Sequence, residues 1–217
     1  MALLLHHWHF LFNEIQSTFQ LTTMKTFLIA LRLFLVMTLI TGILYPLVVT
    51  GIGQGLFAKQ ANGSVLKGAQ NQVIGSELLA QKFDSVIYFQ ARPSACDYGT
   101  VASGASNKGP TSEALQKSVQ ERRTAFRASN NLAATQGVSQ NVPAEMAFAS
   151  GSGLDPHISP EAARMQIARI VAARSFDTKR SEALNNLVER SVEQPQFGIF
   201  GNARVNVLRL NLALNGL

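Results

Sequence analysis

From Leu33 to Ala58 the chain carries no charged residue, and the stretch from Leu33-Phe34-Leu35-Val36-Met37 to Leu47-Val48-Val49 is apolar with small residues between. About 20 such residues at ~1.5 Å rise cover a hydrocarbon core of ~30 Å, whereas a helix buried in a globular core shows polar residues on one face. The run therefore predicts one membrane-spanning helix. It exceeds the apolar region of a cleaved leader, and no convincing small-x-small cleavage site follows it, so the expected segment is an uncleaved anchor. Arg32 sits where its long side chain can reach the headgroups and marks one boundary. Pro46 removes a backbone donor late in the span, which predicts a kink near Tyr45-Pro46 compensated by local geometry or by neighbouring subunits. Gly42, Pro46, Gly51 and Gly55 are the expected helix-packing positions, with Gly51 and Gly55 in Gly-x-x-x-Gly spacing.

The 217 residues leave room for this span and one domain. Hydrophobic residues at 47% and charged residues at 15% fit one apolar anchor added to an ordinary domain. Positive charge is balanced across the span, Lys25 and Arg32 against Lys59 and Lys67, so charge alone does not orient it. Residues 1–23 begin with Met1-Ala2-Leu3-Leu4-Leu5 and hold His6, His7 and His9, a weak metal pattern; Met24-Lys25 reads as a natural start. A start there adds an amino terminus to the Lys25 side and tips the count toward a cytoplasmic N-terminus. The expected division is an extension over 1–23, an anchor over 24–58 and an extracytoplasmic domain over 59–217.

The domain reads as α+β. Val86-Ile87-Tyr88-Phe89, ended by Arg92-Pro93, predicts a strand, and residues 95–109 a long Ser/Gly/Asn loop. Pro110-Thr111-Ser112-Glu113 opens a helix carrying Leu115, Val119, Arg122 and Phe126, and residues 136–141 form a polar connection. Ser150 to Pro156 reads as another exposed loop. Ser159-Pro160-Glu161 is a helix N-terminus, for a helix running through Arg174. A further helix spans Thr178 to about Val192, closed by Gln194-Pro195. Arg204 to Leu212 alternates as a strand would, with Leu208, Leu210 and Leu212 on one face and the asparagines pointing elsewhere.

No catalytic set emerges. A phosphate-binding Gly-x-x-x-x-Gly-Lys-Ser/Thr loop and the Asp-Lys-Thr-Gly phosphorylation sequence of P-type pumps are both absent. Ser64-Val65-Leu66-Lys67 fits Ser-x-x-Lys without its supporting Lys-Thr-Gly, and Ser152 lacks the glycine of a nucleophile elbow. His157 has only Asp155 nearby, and Thr50-Gly51-Ile52-Gly53 in a single span cannot build a potassium filter. Cys96 is the sole cysteine, so no intrachain disulfide forms. The net charge of +6 is scattered without interleaved aromatic residues, which argues against a nucleic-acid surface and leaves general attraction to anionic membrane lipid.

Taken together, a series of short motifs resembles the C subunit of the Kdp potassium-transporting ATPase from Met24 onward. The series includes Leu39-Ile40-Thr41-Gly42 with Tyr45-Pro46, Gln60-Ala61-Asn62-Gly63-Ser64, Gly75-Ser76 with Gln81 and Phe83, and Tyr88-Phe89 leading to Arg92-Pro93-Ser94-Ala95. Ser103-Gly104, Ser106-Asn107, Ser150, Ser152-Gly153-Leu154-Asp155, Gln166 with Arg169, and Val205-Asn206 before Leu210-Asn211-Leu212-Ala213-Leu214 complete it. The chain departs at Ala105 and Ala80, where the family pattern carries glycine. At Ala105 a Cβ would be costly if the loop needs a positive φ there.

The resemblance implies a non-catalytic accessory subunit of a P-type pump in the bacterial inner membrane, its N-terminus cytoplasmic and its domain outside. The implied partners are a channel-like potassium-binding subunit, a P-type ATP-hydrolysing subunit and a small single-span subunit. ATP and potassium belong to those partners, and no cofactor or metal is assigned to this chain. The family is described as a catalytic chaperone that raises the nucleotide affinity of the hydrolysing subunit. Arg92, Ser94, Ser106, Asn107, Asp155, Gln166, Arg169 and Asn206 are the expected partner-contacting or loop-organising residues, with bracing of the loops from within as the alternative for each. An anchored solute- or peptidoglycan-binding module and an anchored hydrolase are the other two classes compatible with one span and one outer domain.

Overall fold

A computed structural model describes residues 24–68, 70–132 and 141–217. The extension 1–23 and nearly all of the polar connection 136–141 lie outside the described residues. The chain divides into two compact units after Asn62.

The first unit holds helix α1 (Met24–Leu56), long and apolar enough to cross a membrane, with a mean hydropathy of 2.4 and no buried residue in its most apolar window. Residues Leu39–Leu44 of α1 wind as a π-helix, immediately before Pro46, and the Tyr45 N–H donates to the Ile40 carbonyl. Proline lacks the N–H that the carbonyl four residues earlier would accept, and its ring crowds that carbonyl. Widening the preceding turn is a local accommodation of that defect, and Thr41 Oγ1 donates to the Met37 carbonyl at 2.7 Å in the same region. A Cβ at Gly51 or Gly55 would meet nothing within 4 Å, so both positions of the Gly-x-x-x-Gly pair are open. A short α2 (Ala58–Ala61) follows.

The second unit opens with an antiparallel hairpin, β1 (Val65–Lys67) and β2 (Val73–Ser76), irregular in register between Leu66 and Lys67. Then come α3 (Glu113–Ser129) and the single turn α4 (Ala144–Ala147). Next are β3 (His157–Ile158), α5 (Pro160–Ala173), α6 (Thr178–Arg190), β4 (Val192–Glu193), β5 (Arg204–Asn206) and α7 (Val207–Leu214). Strand β5 is central in a three-stranded antiparallel sheet, pairing Val205 with Ile158 on one side and with Val192 on the other.

Helix α5 is the centre of the domain. Ser159 caps it by accepting from the Ala162 N–H at 3.1 Å, with Pro160 in the first turn. Its buried residues include Ala162, Ala163, Met165, Ile167 and Ile170, and with them Gln166 and Arg169. Asp177 caps α6 in the same way, accepting from the Arg180 N–H at 2.8 Å, and α6 contributes Leu184 and Val188 to the core. The two helices expected from the sequence here lie where expected, apart from a last residue or two.

Two expected strands differ in the structure, one cut short and one absent. Arg204 begins one, but it stops at Asn206, whose side chain accepts from the Arg209 N–H and starts α7. The apparent alternation of Leu208, Leu210 and Leu212 overlies a helical set, Val207, Leu210, Asn211 and Leu214, all of it buried. The asparagines consequently face inward. Val86 to Phe89 forms a turn with no strand partner, for a reason given below. With α7 helical, Leu210→Ala, at a position with 0% exposure, should cost about 2–5 kcal/mol. Leu212→Ala should cost clearly less, as chemical denaturation of the two variants would show.

Candidate functional site

Residues 86–93 cross the domain as an irregular strap, and side chains satisfy most of its backbone. Asn211 Oδ1 accepts from the Phe89 N–H at 2.8 Å while Asn211 Nδ2 donates to the Phe89 carbonyl at 2.8 Å. Gln166 repeats the arrangement one residue on, accepting from the Gln90 N–H at 2.7 Å and donating to its carbonyl at 3.2 Å. Each amide side chain thus presents the donor and acceptor that a neighbouring strand would have supplied. This is why Phe89, at the end of a β-branched and aromatic run, can be buried at 0% exposure without joining a sheet.

Two arginines complete the clasp. Arg169 donates to the Val86 carbonyl, to the Tyr88 carbonyl at 3.0 Å, to Gln166 Oε1 at 2.9 Å and to Asn130 Oδ1 at 2.9 Å. All four acceptors are neutral oxygens, so burial is uncompensated by a carboxylate and lowers the Arg169 guanidinium to about 10, still cationic at neutral pH. Asn130, itself fully buried, donates back to the Phe126 carbonyl at 2.9 Å and so joins α3 to the cluster. Arg174, at the end of α5, donates to the Ile87 carbonyl at 2.9 Å and lies 5.2 Å from the Tyr88 ring centre. It also reaches the Leu214 carbonyl and Asn215 Oδ1 at the end of α7.

The strap leads into two Ser/Gly loops that hold each other. Arg92 pairs with Asp155 at 2.8 Å, and Asp155 Oδ1 also accepts from the His157 N–H at 3.0 Å. Burial works to raise the Asp155 carboxyl, but the His157 side chain and N–H and the Arg92 guanidinium outweigh it and hold the carboxyl at about 2. Ser94 Oγ accepts from the N–H groups of Cys96 and Tyr98, and the Tyr98 hydroxyl donates to the Arg92 carbonyl at 2.8 Å. Burial pushes the Tyr98 phenol upward, which keeps it a donor.

Across the gap, the Gly104 N–H and Ser103 Oγ both donate to the Ser152 carbonyl, at 3.0 and 2.9 Å. Gly153 sits at φ +70°, where an added Cβ would lie 2.5 Å from Cys96 Sγ and 3.2 Å from the Gly104 carbonyl. Only glycine allows the loops to close this far.

Of the eight residues expected from the sequence, the structure draws five into these contacts: Arg92, Ser94, Asp155, Gln166 and Arg169. Asn206 lies elsewhere, capping α7 and donating to the Glu77 carbonyl at 2.8 Å, which joins the β2 end to the central strand. Ser106 and Asn107 are exposed, Asn107 at φ +51°. The positive φ that the neighbouring loop requires thus falls on Asn107, a residue that tolerates it, and not on Ala105.

Asn130, Arg174 and Asn211 were not singled out from the sequence. Asn211 could have been: it occupies a core position of the 207/210/211/214 pattern, where an amide requires a partner. The strap is also one wall of a cleft of about 330 Å³, lined by Gln90 and Pro93 together with Lys82, Arg122 and Phe126.

Comparison with known proteins covers nearly the whole chain. A family model described as KdpC, the c chain of the K+-transporting ATPase, matches residues 27–216. The potassium-transporting ATPase KdpC subunit of Pseudomonas aeruginosa is 47% identical over 188 residues, 87% of this chain and 95% of the relative. That of Rhodospirillum rubrum is 48% identical over 194 residues, covering 88% and 96%, and that of Geobacter sulfurreducens 43% over 197 residues, covering 89% and 99%.

Three outcomes follow from the geometry. Asn211→Leu keeps the branched outline of the side chain but strands the Phe89 N–H and carbonyl, and should lower stability by about 2–4 kcal/mol in denaturant titration. Gly153→Ala should cost about 2 kcal/mol or more through its backbone conformation and crowding. The Asp155 carboxyl is depressed on folding from 3.8 to about 2, so it adds stability above pH ~4 that is lost as the pH falls through 2. Asp155→Asn should flatten that part of the stability profile in acid titrations. With both the span and the clasped domain inside the matched region, the chain belongs to the KdpC family.

Proposed function

We propose that this chain is the accessory C subunit of a high-affinity, ATP-driven potassium uptake complex of the bacterial inner membrane, and that it performs no chemistry of its own. The observation that carries this reading is the family match over residues 27–216, which takes in the apolar helix as well as the domain. Its relatives are named as subunits of a potassium-transporting ATPase. In this reading the N-terminus is cytoplasmic, the domain is extracytoplasmic, and the partners are the channel-like potassium-binding subunit, the P-type hydrolysing subunit and the small single-span subunit.

The polar side chains of the domain support a structural role. Gln166, Arg169, Asn130 and Asn211 are buried and bonded to the chain's own backbone or to one another. The residues left to meet a partner are those the clasp presents without using, Ser106 and Asn107 above all. In α1, Gly51 and Gly55 offer an unobstructed line for a partner helix.

A domain outside the membrane cannot touch ATP inside the cell. Any rise in nucleotide affinity must therefore come from stabilising one conformation of the pump more than another, with the effect carried through packed helices. Deleting residues 60–217 while keeping the span should abolish assembly of the complex or its potassium affinity. Where assembly survives, the KM for ATP should rise by about 5-fold or more. Co-purification with the pump subunits and potassium-dependent ATPase assays read both; normal transport by the truncated form would overturn the proposal.

A further inference from the structure

The connection between β4 and β5 carries the most exposed cluster of large apolar side chains in the second unit. Phe197, Ile199 and Phe200 are 91%, 79% and 66% exposed. No charged residue occurs from Gln194 to Ala203. At its base the hairpin is fixed by ion pairs, Glu193 with Arg204 at 3.0 Å and with Arg209 at 3.6 Å, while Arg209 also binds Glu77 at 2.7 Å.

The tip is folded, closed by backbone hydrogen bonds of its own. Gln196 and Phe200 exchange N–H to carbonyl bonds at 2.9 Å in both directions. The Ile199 N–H donates to the Gln196 carbonyl at 3.1 Å and the Gly198 N–H to the Pro195 carbonyl at 3.0 Å. Phe197 is held at φ +54°, an unfavourable conformation for an aromatic residue, and there its ring stands out in solvent. An uncharged finger with three of the four N–H groups of its tip, Gly198, Ile199 and Phe200, already bonded enters the membrane interface at a smaller desolvation penalty than an open loop.

We infer that the Phe197-Gly198-Ile199-Phe200 tip inserts into the boundary between headgroups and acyl chains of the membrane that holds α1. Two features favour lipid over a protein partner as the occupant. The tip has no ionisable or side-chain amide group between Phe197 and Gly201 with which to recognise a partner surface. Only residues 57–64 separate α1 from β1, a reach of at most ~29 Å, so the covalent connection keeps the domain at the bilayer. The inference uses α1 as a membrane span and is independent of which subunits assemble with it.

The test uses the full chain in vesicles of phosphatidylethanolamine and phosphatidylglycerol, alone and in its native complex. An environment-sensitive fluorophore is attached at Phe197→Cys or Ile199→Cys in a Cys96→Ser background, with Lys117→Cys on exposed α3 as the aqueous reference and Tyr45→Cys in α1 to report insertion of the span. Lipid brominated near the headgroup should quench the labels at 197 and 199 by roughly twofold or more relative to the label at 117, consistent with insertion of ~5–10 Å. Lipid brominated at the chain ends should quench the label at 45 more strongly. Labels at 197 and 199 as insensitive to brominated lipid as that at 117, with the label at 45 quenched, would overturn the inference. So would labels shielded from water in the complex yet unquenched by either lipid, which would assign the tip to a protein partner.

Discussion

The domain depends on two side-chain amides used in place of a β-strand. Asn211 and Gln166 each give one donor and one acceptor to successive residues of the strap, Phe89 and Gln90. A buried peptide group without partners would cost more than burial of a single apolar side chain returns. Without these amides the strap could not lie between α5 and α7 with Phe89 in the core. Because the amides project from helices, the strap is held by the rigid elements of the domain rather than by another loop.

Several features are ordered by that arrangement. The Arg169 cation is kept in the interior by neutral oxygens from the strap, Gln166 and Asn130. Its burial is costly, which is visible in the lowered guanidinium pKa of about 10, and the return is a single junction of α3, α5 and the strap. At the end of the strap, Arg92 pairs with Asp155, and the Ser/Gly loops beyond it close on each other through Ser152 and Gly153. The polar residues that a surface-minded reading assigns to partners are thus mainly bonds of the chain to itself. What the clasp leaves outside, Ser106 and Asn107 and the apolar β4–β5 tip, is where contact with other molecules is proposed.

The sequence made some of this legible and concealed the rest for identifiable reasons. The span followed from an uninterrupted apolar run, and α5 from a serine cap, a proline in the first turn and small apolar residues at helical spacing. Val86 to Phe89 looked like a strand because β-branched and aromatic residues suit any buried extended backbone, and composition does not reveal whether a ladder or side chains supply the hydrogen bonds. Arg204 to Leu212 misled because leucines at every second place satisfy a strand period while the helical set shares Leu210 with them; Asn206, a helix cap, was the discriminating signal. Gln166 and Arg169 were picked out by resemblance, but their partners lie some 80 residues away, at separations of 76 and 81–83. No local pattern encodes such a pairing.

Hydrogen exchange of the Phe89 and Gln90 amides tests the central claim most directly, since both are solvent-remote only if the side-chain amides hold them. In the native protein they should exchange as slowly as the amides in the middle of α5, and Asn211→Ala should release Phe89 toward the rate of the loop over 99–108. Exchange of both amides at loop rates in the native protein, with α5 still protected, would contradict the account.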